Sequence, residues 1–391
     1  MINKNLRIFG IGVSCIVVLM GLAGCNRTSS TTHTKTTPST TAAITGISTI
    51  TSTTTSITTF STPATTISTL STTIPSFPGE LPVTADAPPG LYLSPVTVGP
   101  DYYLWFTEAN ANQIVKYSAY NGNVIKYNVP TERAGPNGIT SGPDGNLWFT
   151  ETNASNIGKI SPATGAITEY NIPSDYAMPD GIVAGPDGNL WFTEASENNI
   201  GKISPATGDI TEYNIPSNGF PISIVAGPDG NLWFTEFGGN KIGKISPETS
   251  NITEYNIPNP YSDPCGITTG PDGNLWFTEY AGNKIGKISP ETGDITEYSI
   301  PSPHNPYAES RGITTGPDGN LWFTESAGNK IGNISPSTGI ISEYNLPAVA
   351  PGIYGITTGP YGDLWFTENF GSKLGEISPK TGAIIEYIVG N

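Results

Sequence analysis

Histidine and cysteine are scarce in this chain, whose 391 residues include two histidines and three cysteines. Cys15 and Cys25 lie close to the amino terminus, so the rest of the chain has one thiol, Cys265, and cannot form an internal disulfide. A nucleophilic cysteine needs a neighbouring histidine or other cation to lower its pKa. Because the only histidines are His33 and His304, we interpret Cys265 as a small, partly buried residue rather than a nucleophile.

Positive charge is also in short supply. Lysine and arginine together number 17 against 33 aspartates and glutamates, which gives a net charge of −16 and an isoelectric point near 4.4. Such a surface repels phosphate backbones and anionic lipid headgroups. We therefore expect no nucleic-acid partner, and contact with a membrane only through an anchor.

The long apolar run of the chain is confined to residues 8–22. It follows Lys4 and Arg7 and ends at Leu22-Ala23-Gly24-Cys25, a small-residue site closed by a cysteine. This pattern resembles a bacterial lipoprotein signal, with Cys25 as the lipidated residue. The alternative is an uncleaved membrane helix, for which the run is short. Both interpretations place the following domain outside the cytoplasm, at the cell envelope.

The next segment is almost devoid of charge and of apolar periodicity. Residues 28–77 contain 32 serines and threonines among 50 positions and no acidic residue. Such a composition cannot bury enough apolar surface to offset the entropy of the chain. The sequence thus predicts three parts: a lipoprotein-type signal in residues 1–25, a disordered linker in residues 26–77 and a folded domain in residues 78–391.

Tryptophan is what repeats. All seven tryptophans stand in the word Trp-Phe-Thr-Glu, at spacings of 43, 43, 42, 43, 46 and 43 residues. A unit of about 40–45 residues, built of short apolar runs and Gly/Pro/Asp turns, is typical of a β-propeller blade. We therefore predict an all-β fold, a seven-bladed β-propeller of four-stranded antiparallel blades. The tryptophans are Trp105, Trp148, Trp191, Trp233, Trp276, Trp322 and Trp365.

One repeat, residues 180–216, shows how a blade is built. Four short runs, strands A to D, are divided by the turns Gly-Pro-Asp-Gly and Ser-Pro-x-Thr-Gly. Alternation places Leu190 and Phe192 on one face of strand B and Trp191 on the other, so both faces are apolar, as a blade between two neighbours requires. We expect the tryptophans to pack blade against blade; an aromatic ligand cage is the alternative. Each blade is completed by its own contiguous segment, and residues 79–82 are a candidate for a short extra edge pairing.

The glutamate that ends each word is interpreted as a structural acceptor for backbone N–H groups of the loops. The alternative is a ring of carboxylates able to hold a cation. These residues are Glu108, Glu151, Glu194, Glu236, Glu279, Glu325 and Glu368.

One position of strand A differs in every blade. It lies five residues before the glycine of each A–B turn, at the expected mouth of the central channel, where the B–C loops and D–A crossovers also lie. Its occupants are Ser94, Asn137, Asp180, Ile222, Cys265, Arg311 and Tyr354. A position that varies while its neighbours repeat suggests a ligand site, although drift at exposed loop ends is the alternative.

We predict Asn137, Asp180, Arg311 and Tyr354 as ligand-binding residues for a small molecule, peptide or glycan, in a monomeric protein. The longest crossover, residues 301–311, carries His304, Tyr307 and Glu309 over the same mouth. Tyr354 would serve as a platform, and the charged residues as polar contacts.

The repeated Gly-Ile-Thr-x-Gly-Pro-Asp-Gly-Asn-Leu-Trp-Phe-Thr-Glu, followed by Asn-Lys-Ile-Gly-Lys-Ile, resembles the virginiamycin B lyase (streptogramin lyase) family from about residue 80 to the end. The resemblance implies a seven-bladed propeller that opens the ester of cyclic streptogramin B depsipeptides by Mg²⁺-assisted elimination. It also implies a Pro-His-(Ala/Gly)-Ile motif at the start of strand A in the last two blades.

In this chain the two histidine positions fall on Arg311 and Tyr354, and two glutamate positions of the family fall on Gly352 and Asn369. An elimination needs a base for the proton and an acid for the leaving group. We therefore predict a binding module that lacks the family's catalytic histidines, with no catalytic residue, cofactor or metal ligand assigned. A divergent lyase that uses Glu309, Glu368 or His304 with Mg²⁺ is the alternative, and a purely structural envelope protein is a third possibility.

Overall fold

A computed structural model describes residues 93–301, 309–347, 352–369 and 372–389, with the side chains of residues 93 and 94 excepted. The described residues form seven four-stranded antiparallel sheets, each in the order A-B-C-D, which confirms the predicted seven-bladed propeller. The signal, the linker and the pairing expected for residues 79–82 lie outside the described residues. Within them, no helix has the length and apolar character needed to cross a membrane.

The strands are numbered in chain order and are short and regular. Blades 1 to 4 comprise β1 Leu93–Val98, β2 Leu104–Glu108, β3 Gln113–Tyr117, β4 Val124–Asn128; β5 Pro136–Ser141, β6 Leu147–Glu151, β7 Asn156–Ile160, β8 Ile167–Asn171; β9 Pro179–Ala184, β10 Leu190–Glu194, β11 Asn199–Ile203, β12 Ile210–Asn214; and β13 Pro221–Ala226, β14 Leu232–Glu236, β15 Lys241–Ile245, β16 Ile252–Asn256. Blades 5 to 7 comprise β17 Pro264–Thr269, β18 Leu275–Glu279, β19 Lys284–Ile288, β20 Ile295–Ser299; β21 Ser310–Thr315, β22 Leu321–Glu325, β23 Lys330–Ile334, β24 Ile341–Asn345; and β25 Ile353–Thr358, β26 Leu364–Glu368, β27 Lys373–Ile377, β28 Ile384–Ile388.

Seven apolar clusters lie between neighbouring blades, and strand B supplies both sides of each. Trp148 of blade 2, for example, packs against Leu190 and Phe192 of blade 3, and all three are fully buried. The seventh cluster joins Trp365 of blade 7 to Phe106 of blade 1 and closes the ring without an exchanged strand. The predicted packing of tryptophans between blades is therefore confirmed.

Each indole is also held from within its own blade. In blade 3 the Nε1–H of Trp191 donates to Asp187 in the A–B turn at 2.9 Å, and the ring stacks on Tyr213 of strand D at 5.6 Å between centroids. In six blades the turn thus carries the acceptor that a buried indole N–H requires, whereas blade 7 has Tyr361 at the corresponding position.

The expectation for the strand-B glutamates needs correction. All seven are fully buried, but their recorded partners are side chains: Asn156 donates to Glu151 at 3.1 Å, and Ser262 donates to Glu279 at 2.6 Å. Backbone N–H groups of the crossovers bind the strand-D glutamates instead, as Thr131 does with Glu169 at 2.9 Å. Each strand-B carboxyl group thus lies near strand D and the side chains of the crossover: Glu279, for example, has Glu297 of strand D beside it and accepts from Ser262 of the crossover.

Candidate functional site

The mouth residues occupy a β-bulge in every blade. In blade 3, Pro179 pairs with Glu194 and Ile182 with Phe192, so three steps along strand A oppose two steps along strand B. The additional residue falls at Asp180-Gly181, and the same irregularity recurs at the corresponding place in the other six blades. A bulge frees a side chain from the alternation of its strand and turns it toward a new direction. This explains why the position can vary while its neighbours repeat.

The threonine of each Trp-Phe-Thr-Glu word holds this bulge in place. In blades 2 to 7 its buried hydroxyl accepts the N–H of the second bulge residue of its own blade, whereas in blade 1 that residue is Pro95, which has no N–H. In blades 1 to 6 the hydroxyl also donates to the carbonyl of the mouth residue in the next blade. Thr278, for instance, accepts from Gly266 N–H at 2.9 Å and donates to the Arg311 carbonyl at 3.1 Å. Thr324 donates in the same way to the Tyr354 carbonyl at 3.0 Å. The repeated part of the sequence thus positions the variable part.

Inner strands of adjacent blades approach very closely here. A Cβ atom added to Gly266 would lie 2.2 Å from the Arg311 carbonyl oxygen, and one added to Gly312 would lie 2.6 Å from the Tyr354 carbonyl oxygen. Glycine occupies the second bulge position in five blades and permits this close approach there, whereas blades 1 and 4 have Pro95 and Ser223 at that position.

A cavity of about 150 Å³ lies at the mouth, and five of the predicted mouth residues line it. They are Asp180, Ile222, Cys265, Arg311 and Tyr354. Asn137 is not in the wall: it is fully buried, and its Nδ2–H donates to Asp180 Oδ1 at 2.7 Å. Cys265 is 3% exposed. The structure therefore brings residues from blades 3 to 7 around one small space.

Arg311 lies between two tyrosines. Its guanidinium carbon is 5.0 Å from the ring centroid of Tyr280, in the B–C loop of blade 5, and 5.3 Å from that of Tyr354, at the mouth of blade 7. Tyr280 in turn packs against Phe237 at 6.0 Å. All but Phe237 are largely buried. Packing between two aromatic faces holds an arginine side chain in a fixed position.

An eighth apolar cluster lies at the mouth rather than between blade faces. Its buried members are Ile222, Cys265 and Tyr280, with Phe220, Phe237 and Ala281 packed against them. Our sequence reasoning missed Phe220, Phe237 and Tyr280. For Phe237 and Tyr280 a signal was present, because the residue after Trp-Phe-Thr-Glu is of six kinds among the seven blades: Ala109, Thr152, Ala195, Phe237, Tyr280, Ser326 and Asn369.

Of the candidate proton-transfer residues, the two that the structure describes, Glu309 and Glu368, do not line this cavity. Glu368 is fully buried at the end of strand B, where burial and then the neighbouring charge of Glu386 raise its pKa to about 7, and it is not part of the cavity wall. Glu309 is half-buried on the crossover beside the mouth, with a φ of 51°. His304 and Tyr307 lie outside the described residues.

Gly352 and Asn369, which stand at the positions of the family's two glutamates, contact each other but carry no carboxyl group. The N–H of Asn369 donates to the carbonyl of Gly352 at 3.0 Å. Mg²⁺ prefers carboxylate oxygens in an octahedral arrangement. A glycine and an amide do not supply them, and the described residues contain no group of three His, Cys, Asp or Glu side chains able to hold a metal. The described residues at these positions therefore do not fit a magnesium site.

Fold and site together define a seven-bladed β-propeller with a small cavity at the start of its inner strands. The profile of the virginiamycin B lyase family matches residues 79–307 and 206–391, and the chain belongs to this family. A comparison with curated protein sequences finds no match.

Solved structures agree with this assignment. A streptogramin B lyase structure is 38% identical, with a TM-score of 0.69 over 76% of this chain and 95% of the other. Virginiamycin B lyase from Staphylococcus aureus is 40% identical, with a TM-score of 0.68 over 73% of this chain and 94% of the other. A catalytically inactive variant of the latter, with one histidine changed to alanine, has been solved with quinupristin and matches equally well.

Proposed function

We propose that this protein is a non-catalytic binding module of the virginiamycin B lyase family, with its ligand at the channel mouth. The observation that carries the proposal is the pair of Arg311 and Tyr354, which stand at the family's histidine positions and touch each other across the wall of the cavity. A guanidinium keeps its proton throughout the range in which proteins work, so it cannot act as a base. Neither side chain replaces an imidazole near neutral pH.

The related structures support the separation of binding from catalysis. The inactive histidine-to-alanine variant from Staphylococcus aureus was solved with quinupristin. Loss of one histidine there removes activity, and in this chain both positions have changed. The mouth has bulges, threonines that hold them and a small cavity, which are features of a binding site.

The lyase test uses the full chain, a streptogramin B and Mg²⁺, followed by mass spectrometry. We expect the cyclic compound to remain intact, with an active streptogramin B lyase as the positive control. A linear product that forms with the native chain and disappears in Glu309→Gln or Glu368→Gln would instead establish the divergent Mg²⁺-dependent lyase. The Arg133→Gln variant, changed at an exposed crossover residue, is the control for a loss of activity that is caused by expression or purification of a variant.

We further propose that the module is extracytoplasmic and anchored to the cell envelope through a lipid on Cys25, with the Ser/Thr-rich linker as its stalk and the propeller as a monomer. The apolar run, the small-residue site and the linker composition support this. In a bacterial host, the chain is expected in the membrane fraction and its Cys25→Ser variant in the soluble fraction. Equal fractionation of both would contradict the anchor.

A further inference from the structure

The backbone of the cavity wall has its polar groups occupied between the blades. In each of blades 3 to 7, the carbonyl of the mouth residue accepts a hydrogen bond from the threonine of the preceding blade. The N–H of the next residue donates to the threonine of its own blade. At Ile222, for example, the carbonyl accepts from Thr193 at 2.8 Å, and the N–H of Ser223 donates to Thr235 at 3.1 Å. These backbone groups therefore need neither water nor a polar ligand as a partner.

Most side chains of the wall are apolar. Ile222 and Cys265 lie at the mouth and belong to the eighth apolar cluster, against which Phe220 and Phe237 pack. Two residues farther along strand A, three isoleucines line the cavity. They keep 6–8% of their surface exposed, whereas the leucines and phenylalanines of strand B are fully buried, so their exposed part faces the cavity. These isoleucines are Ile267, Ile313 and Ile356.

The two charged residues of the wall are engaged with the protein itself. Asp180 Oδ1 accepts a hydrogen bond from Asn137 at 2.7 Å, and the guanidinium of Arg311 packs between Tyr280 and Tyr354. Both Asp180 and Arg311 make further interactions within the protein. A charged ligand group would have to compete with these partners, and it would lose hydration on entering an otherwise apolar space.

The size of the cavity indicates what kind of apolar group it can hold. Its volume is about 150 Å³. An apolar protein cavity of ~150 Å³ stays dry and takes up benzene. Because this cavity lies at the channel mouth, the group that enters it can be one end of a larger ligand.

We propose that the cavity binds a compact, uncharged apolar group of about the size of a benzene ring, carried by a ligand whose remainder lies across the mouth. Binding would remove apolar surface of both the group and the wall from water, which supplies the free energy. This rests on the proposed binding function and names the chemistry of the ligand.

Fluorine NMR of the full chain with three probes tests the proposal. The probes are fluorobenzene, fluorobenzoate and fluorobenzylamine, which share one ring and are neutral, anionic and cationic near neutral pH. We expect fluorobenzene to bind and the two charged probes to bind more weakly by roughly tenfold or more, because each must leave water with its charge.

Variants at one wall residue locate the bound probe. Ile222→Phe places a larger side chain in the wall and should weaken fluorobenzene binding by reducing the free volume. Ile222→Ser, which adds no bulk, should weaken it by making the wall polar. Ile385→Ser, at an isoleucine that is 51% exposed on β28, is the matched control and should bind normally. Circular dichroism checks that each variant is folded.

Three results would overturn the apolar-group proposal: no binding of fluorobenzene, equal or tighter binding of either charged probe, or unchanged binding in both Ile222 variants. Titration with a streptogramin B separates this failure from that of the binding function. If the streptogramin B binds intact and fluorobenzene does not, the binding function stands and only the ligand chemistry is wrong. If neither binds, both proposals fail.

Discussion

Seven buried threonines, one in each strand B, connect the repeated part of this protein to its variable part. The hydroxyl of Thr278 has two partners from different blades, the Gly266 N–H and the Arg311 carbonyl. Because it is fully buried, neither partner can turn to water if the hydroxyl is lost. A side chain usually thought of as part of a strand pattern therefore determines where the guanidinium stands.

Thr278→Val tests this role, since valine keeps the shape and removes the hydroxyl. We expect the free energy of unfolding to fall by about 1–3 kcal/mol, the cost of leaving buried polar groups unpaired. Thr278→Ser, which keeps the hydroxyl and loses a methyl group, should cost about 1 kcal/mol or less. Urea denaturation measures both. A valine variant as stable as the serine variant would show that the hydroxyl does not hold the mouth.

At the scale of strands and turns, the periodic features could be predicted and the irregular ones could not. The word Trp-Phe-Thr-Glu repeats, so the number of blades and the packing of Trp191 between blades followed from spacing and alternation alone. The bulge at Asp180-Gly181 has no such signature, because it is a shift in register between two strands. The bulge changes which side chains contact each other. The variable residues in the sequence indicated only that this position differs between blades, not that the strand is irregular there.

Contacts between residues far apart in the sequence could not be predicted either. Tyr280 lies 31 residues from Arg311 and in a different blade, so their contact depends on the curvature of the ring. The strand-B glutamates were wrongly expected to accept backbone N–H groups of the loops. Their donors are side chains, and the third residue of strand D faces each of them only once the blade has formed. Candidates such as Arg311 and Tyr354 were found because they break a repeat, whereas their neighbours became visible only in three dimensions.

Across the whole molecule, nearly every blade repeats the same pair of facing carboxyl groups. In six blades a buried strand-B glutamate faces a glutamate of strand D, and in blade 1 Glu108 faces Lys126 instead. Burial, together with the neighbouring carboxylate, raises the pKa of Glu194 and of Glu325 to about 8. By contrast, hydrogen bonds from Trp191 and Asn189 hold the pKa of Asp187 below its usual value despite its partial burial.

These two sets of groups act on stability in opposite directions. A glutamate with a raised pKa binds its proton more tightly in the folded state, so its contribution is complete below about pH 4.3, the ordinary value, and is lost as the pH rises toward 8. An aspartate with a lowered pKa contributes above about pH 3.9 and loses that contribution as the pH falls further. Both sets are favourable together only in a mildly acidic window, so stability should be greatest there.

We therefore expect the denaturation midpoint of the full chain to be highest near about pH 4–5 and to decline steadily between about pH 5 and 8.5. Glu325→Gln removes one of the buried acids and should make this decline less steep. At the alkaline end we expect the free energy of unfolding of the variant to exceed that of the native chain by on the order of 1–3 kcal/mol, because the native chain must there either bury a charged carboxylate or keep the carboxyl group protonated. Glu291→Gln, at an exposed turn, loses the same charge without burial and should leave the slope unchanged. A flat profile for the native chain, or equal slopes for the two variants, would show that the paired carboxyl groups do not titrate in this range. It would contradict the prediction that the propeller is most stable at mildly acidic pH.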